Sequence, residues 1–122
     1  VNTTLALVLV LFVKHFVVDF LLQRPYQYLN KGVYGHPGGV LHAGLHGTAT
    51  MLCLALFGYD EMTASLMGLL DAVAHYHIDW AKVNINRHYG WTATTHEEFW
   101  WLLGLDQLLH TATYILIIGS LT

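Results

Sequence analysis

The chain has 122 residues, 55% hydrophobic and 11% charged, against roughly 25% charged in a typical soluble domain. Its length allows one domain, and its mean hydropathy of +0.46 argues against both a soluble domain and a disordered tail. Five Lys and Arg against eight Asp and Glu leave a formal charge of −3, which offers a nucleic-acid backbone no attraction, and the lone Cys53 excludes an internal disulfide or a cysteine metal cluster.

A helix needs about 20 mostly apolar residues to cross a hydrocarbon layer of about 30 Å. Four stretches approach that length, namely Thr4 to Leu22, Val40 to Phe57, Met62 to Val83 and Glu98 to Ser120. The first is uniformly apolar from Leu5 to Val13. No basic residue precedes that run, and Lys14, His15 and Asp19 interrupt its continuation, so it is expected to remain as a span and not to be cleaved as a signal peptide. Gln23 to Gly39 holds Pro25, Pro37 and several glycines, the mark of irregular backbone. Gly58 to Glu61 is short enough to force an antiparallel hairpin. The third connection, Asn84 to Glu97, carries Arg87, His88 and His96 and is expected to lie partly along the headgroups. Arg24, Lys31 and Arg87 share the side reached by the first and third connections, whereas the second connection is acidic. The positive-inside bias makes that basic side cytoplasmic and leaves both termini outside the cytoplasm. Tyr26, Tyr28, Tyr34, Trp80, Tyr89, Trp91, Trp100 and Trp101 gather there too, as in an aromatic belt. The expected fold is all-α: an integral membrane four-helix bundle, with residues 1–122 forming a single transmembrane domain.

Ionisable side chains inside a span cost about 2.5–3.5 kcal/mol each at mid-bilayer, so they usually mark a functional interior. Here they come in pairs: His15 and Asp19, His42 and His46, His75 and Asp79, Asp106 and His110. Every pair is spaced i,i+4, which sets two side chains one turn apart on one helix face. Asp71 extends the third stripe by another turn. Counted from the cytoplasmic helix ends at about 1.5 Å per residue, the first six lie roughly 3–12 Å deep, Asp106 about 12 Å and His110 about 18 Å. Five imidazoles and three carboxylates are therefore expected to converge as ligands of a divalent metal. Zinc fits this nitrogen and oxygen set best, with iron or manganese as alternatives, in one or two ions. Two ions facing three carboxylates leave a charge near +1, which Asp71 is able to cancel.

Lys14 and Lys82 either snorkel to the headgroups or pair with aspartates, Lys82 facing the mouth of the site three residues from Asp79. Gln23 and Gln107 are candidates for orienting ligands or for plain interhelical bonds. Gly44, Gly47 and Gly68, with Ala43, Ala72 and Ala74, are expected at close helix contacts. His36, His88 and His96 lie in connections and are expected to be solvated.

Lys14-His15 through Asp19-Phe20 and Gln23, then Lys31, His42 and His46, His75 with His77-Ile78-Asp79 and Lys82, and finally Asp106-Gln107 through His110 resemble a family of uncharacterised bacterial and phage integral membrane proteins, a domain of unknown function. The resemblance covers most of the chain and implies the inner membrane of a bacterial or phage-infected cell. More distantly, His42-Ala43-Gly44-Leu45-His46 followed by Ala74-His75-Tyr76-His77-Ile78-Asp79 is similar to the inner-membrane metal-dependent hydrolases. Their usual Arg after the first His and Ser after the second are Ala43 and Gly47 here.

Two functions are expected from different classes. One is a membrane-embedded metal-dependent hydrolase acting on a lipid-like substrate, with His42, His46, His75, Asp79 and Asp106 as principal ligands and His15, Asp19 and His110 completing the set. No Glu follows His42, so the His-Glu-x-x-His peptidase device is missing. The other is a non-enzymatic subunit of a larger membrane complex whose metal or hydrogen-bonded core fixes the bundle. Membrane lipids are partners in both. Haem held between facing histidines ranks third, because it leaves the repeated aspartates without a role.

Overall fold

The computed structural model describes residues 2–122, and among them it contains helices and no strand. Helix α1 (Thr3–Phe16) runs directly into a π-helical turn (Val17–Leu21); α2 (Pro25–Tyr28) is a single turn in the first connection; α3 (Pro37–Leu56), α4 (Glu61–Tyr89) and α5 (Glu97–Leu121) complete the chain. Local chemistry sets the ends. Asn2 Oδ1 accepts from the Leu5 N–H to open α1. Pro37 at the first turn of α3 supplies the φ a helix needs, and the His36 side chain caps it by accepting from the Gly38 N–H. Asp60 accepts from both the N–H and the hydroxyl of Thr63 at the start of α4, which holds its carboxyl below the usual carboxylate range. Gly90, in the left-handed region at φ 65°, ends α4.

The third long helix extends to Tyr89, past the end at Val83 expected from composition. Its last turns are polar, Asn84 ties them to the first connection by donating to the Gly32 carbonyl, and Gly90 ends the helix. The third connection is correspondingly short. Among the described residues three helices are long and apolar enough to cross a membrane: Thr3–Leu21, Pro37–Leu56 and Glu97–Leu121. The fourth expected stretch, in α4, falls outside this set because Asp71, His75, His77, Asp79 and Lys82 break its apolar run.

Helices α3 and α4 form an antiparallel hairpin, α5 packs on α4, and α1 touches both α3 and α5, so the long helices enclose one interior. Helices α3 and α4 come into backbone contact at Gly47 and Gly68. A Cβ on either would fall 2.5–2.6 Å from the other's carbonyl oxygen. Gly44 faces open space instead, so of the three glycines only Gly47 and Gly68 are packing residues.

The interior is inverted relative to a soluble protein. Among the described residues twelve polar or charged ones are buried against nine apolar ones, while Leu5, Leu9, Leu69, Leu108 and Leu116 lie more than half exposed; in water the preference runs the other way. The buried groups also separate along the axis. Leu7, Leu11, Leu54, Ala64, Ile117 and Ile118 form an apolar core at the end where α1 starts and α3 finishes, and the polar residues fill the other half. Gly47→Leu is expected to lower stability by at least about 1–3 kcal/mol through overpacking, whereas Gly44→Leu leaves it unchanged; thermal unfolding of the two detergent-solubilised variants checks this.

Candidate metal centre

The inward stripe of α1 runs Leu7, Leu11, Lys14, Val18, the three-and-four spacing of an α-helix. Regular continuation would bury residue 21 or 22, yet both are exposed and Asp19 is buried instead. The π turn produces this change. The Leu22 N–H reaches back to the Val17 carbonyl at 2.9 Å, which widens the turn and brings adjacent Val18 and Asp19 inward together. Such turns are rare and concentrate at functional sites.

Asp19 enters a cluster with α3 and α4. His42 Nε2 lies 3.0 Å from Asp19 Oδ1, 3.2 Å from Asp79 Oδ2 and 3.1 Å from His75 Nε2. His75 Nε2 lies 3.0 Å from Asp79 Oδ2 and 3.4 Å from Asp19 Oδ1. These five separations are edges among four atoms. A tetrahedral zinc with bonds of about 2.0–2.1 Å requires six ligand-to-ligand edges of about 3.3–3.4 Å, and these five, at 3.0–3.4 Å, lie near that value. Hydrogen bonds alone account for the cluster poorly, since each Nε2 carries at most one proton and faces three potential acceptors. His42 Nδ1–H is already committed to Gln27 Oε1 at 3.1 Å, which in a neutral ring leaves the Nε2 lone pair pointing at two carboxylates. On the other side of Asp79, His110 Nε2 lies 3.2 Å from Oδ1.

His46 completes a ligand-like group with Asp19, His42 and His75, but its hydrogen bonds give it a different task. The buried Lys14 ammonium directs its three protons to Asp71 Oδ2 at 2.9 Å, Tyr114 Oη at 3.1 Å and His46 Nδ1 at 3.2 Å. Receiving at Nδ1, His46 carries its proton on Nε2 and donates it to Asp19 Oδ1 at 3.0 Å. It orients Asp19. His15 is similarly engaged: Nε2–H donates to Gln107 Oε1 and Nδ1 accepts from the Tyr114 hydroxyl, both at 2.9 Å. Gln107 in turn donates to Asp106 Oδ2 at 3.0 Å.

Of the eight residues expected as ligands, six (Asp19, His42, His46, His75, Asp79 and His110) fall into two overlapping groups of ligand atoms within 4.8 Å of one another. His15 and Asp106 stand beside these groups. Asp106 Oδ1 is buried without a hydrogen-bond partner, with His110 Nε2 at 3.3 Å but out of alignment. Gln23 donates to the Asp19 carbonyl, and so supports the π turn. Lys82 does not reach Asp79; Lys31, from the first connection, does so at 3.3 Å.

Thr50, which donates to Asp71 at 2.6 Å, and Tyr114 escaped sequence reasoning, although a signal was present. Thr50 follows His46, and Tyr114 follows His110, by four residues, so the stripes 42-46-50, 71-75-79 and 106-110-114 share one spacing. Gln27 and Lys31 carried no comparable periodic signal. The rings of His46 and His75 stack at 3.6 Å and those of His75 and His110 at 4.0 Å, leaving no room between them for a haem macrocycle.

An all-α protein with an apolar exterior and a buried His/Asp cluster is the class these features define. The chain belongs to the family described as Protein of unknown function (DUF3307), whose model matches residues 7–122. No curated protein and no solved structure matches it.

Removing one partner of a buried ion pair strands the other, at a cost of about 3–5 kcal/mol, whereas replacing both is often neutral. Lys14→Met is therefore expected to destabilise the protein by about that amount and Lys14→Met with Asp71→Leu to recover most of it, as read from thermal unfolding in detergent.

Proposed function

We propose that the chain is an integral membrane four-helix bundle that holds one divalent cation, zinc by preference, between His42, His75, Asp19 and Asp79, with His110 beside Asp79. The observation that carries this is the convergence of two imidazole nitrogens and two carboxylate oxygens, with five separations of 3.0–3.4 Å among them. Buried charge favours one ion over two. Asp19, Asp71, Asp79 and Asp106 face only Lys14 and Lys31 in the interior, so two negative charges remain, and one divalent ion neutralises them. The apolar exterior supports a lipid setting, because a span in hydrocarbon turns its polar groups inward. The site lies at the end carrying Arg24, Lys31 and Arg87, which the positive-inside bias assigns to the cytoplasm, with both termini outside it.

The use we propose for the ion is hydrolysis of an amphiphilic substrate. A bound divalent ion lowers the pKa of water toward 7 and polarises a scissile carbonyl or phosphoryl group. Asp106 is the general base: its Oδ1 is unpartnered, while Gln107 fixes Oδ2. His46 and Gln27 hold Asp19 and His42 in place. A second reading, a structural ion in a non-enzymatic subunit of a larger complex, is favoured by the burial of every ligand side chain, none more than 7% exposed.

Elemental analysis of purified protein is expected to give one divalent ion per chain, lost in His42→Ala and Asp79→Asn and kept in His46→Gln. Unchanged metal content in the first two variants sinks the proposal. Asp106→Asn is expected to keep the ion and to lower hydrolysis of ester-linked or phosphate-linked lipids by about 10²–10⁴-fold; a loaded protein that hydrolyses none of them leaves the structural reading standing.

A further inference from the structure

His110 Nε2 stands between two carboxylate oxygens, Asp79 Oδ1 at 3.2 Å and Asp106 Oδ1 at 3.3 Å. An imidazole nitrogen carries at most one proton, and only Asp79 Oδ1 is aligned to accept it. Asp106 Oδ1 is left without a donor in a residue 4% exposed, while Gln107 Nε2 donates to its other oxygen at 3.0 Å. An unpartnered buried carboxylate oxygen is costly. A divalent cation among these three atoms would satisfy all of them, and the two separations are close to the edges between zinc ligands, about 3.3–3.4 Å.

Asp79 is placed to serve two ions. Its Oδ2 lies 3.2 Å from His42 Nε2 and 3.0 Å from His75 Nε2, whereas its Oδ1 faces His110, so one carboxylate would bridge cations about 3.5–4 Å apart. Charge sets the order of filling. The first ion cancels the two negative charges left by four buried aspartates and two lysines, and a second therefore enters a neutral interior and binds more weakly. The Lys31 ammonium, 3.3 Å from Asp79 Oδ2, adds to the opposition.

We infer that Asp79, Asp106 and His110 form a second, weaker divalent-cation site, and that filling it switches the proposed centre off. It takes a cation that accepts mixed nitrogen and oxygen ligands, such as zinc, manganese or iron. Once Asp106 Oδ1 is a ligand, its lone pair is directed at the cation and no longer takes a proton from water. The inference rests on the one-ion reading of the centre and adds its regulation: the first ion activates and excess cation inhibits.

The test is equilibrium dialysis of the detergent-solubilised full chain against rising free zinc, with bound metal read by elemental analysis. Two steps are expected, one ion held tightly and a second at least about 10-fold more weakly. Asp106→Asn, which keeps the shape of the side chain, is expected to remove the second step and keep the first, with thermal unfolding as the check on folding. Lys31→Gln is expected to strengthen the second step at least about 10-fold by removing a nearby like charge. Lipid hydrolysis by the one-ion protein is expected to fall as the second step fills. Absence of a second step from the unaltered chain overturns the inference. So does a second step that survives Asp106→Asn, which would be zinc adsorbed on exposed histidines such as His88 and His96. Hydrolysis that rises as the second step fills overturns the switch. Absence of the first, tight step sinks the one-ion reading instead, so the two failures are separable.

Discussion

Negative charge held away from water is the constraint around which this molecule is arranged. Four aspartates lie in one half of the interior, none more than 6% exposed, and a carboxylate in a low-dielectric setting must be paired, protonated or bound to a cation. Each is handled differently. Asp71 takes the Lys14 ammonium and the Thr50 hydroxyl. Asp79 shares the Lys31 ammonium with three imidazoles. Asp19 faces imidazole nitrogens from α3 and α4, and Asp106 has one oxygen on Gln107 and one free. The lysines serve to isolate two of the four charges, and what remains is concentrated where the histidines converge.

That division explains several otherwise unrelated features. The π turn exists where α1 must present Asp19 out of phase with its own stripe. The first connection is well packed although it lacks long helices: Gln27 fixes His42, Lys31 reaches Asp79, and the Tyr34 hydroxyl meets His77. The Gly47–Gly68 contact draws α3 and α4 together beside His46 and two turns before His75, which brings their imidazoles close. Backbone choices at three places thus serve one electrostatic requirement.

Much of the site was legible in the sequence because a helix converts spacing into direction. Four i,i+4 pairs on four helices imply four polar faces, and the depths computed from rise per residue placed them at a common level. What spacing does not carry is the identity of the second partner. Lys14 is interior because its ammonium finds Asp71, whereas the same residue one turn nearer the end would snorkel. Lys82 lies three residues from Asp79 but makes no ion pair with it, and the lysine that reaches Asp79, Lys31, comes from an irregular segment with no period to read. The π turn was invisible for a similar reason: a single extra residue in a turn leaves no mark on composition, only on which side chain is buried afterwards. The length of α4 exceeds what its apolar residues indicate, because polar residues continue a helix until a backbone signal, here Gly90 in the left-handed region, ends it.

The distribution of tasks among the histidines bears on how the proposed centre would act. A neutral imidazole offers one lone pair, and the bond made by one nitrogen determines what the other presents. His42 donates through Nδ1 and presents a lone pair at Nε2; His46 receives at Nδ1 and presents a proton. Two residues one turn apart on the same helix therefore have opposite characters, imposed by Gln27 from the first connection and Lys14 from α1. Exchanging those characters would require moving a cation and an amide that are both anchored elsewhere, so the ligand set is fixed by its surroundings before any ion arrives. Such preorganisation keeps mutually repelling lone pairs and carboxylates together, a cost that the cation would repay on binding. Asp106, whose Oδ1 has no aligned donor and no lysine, remains available for chemistry at the edge of the cluster.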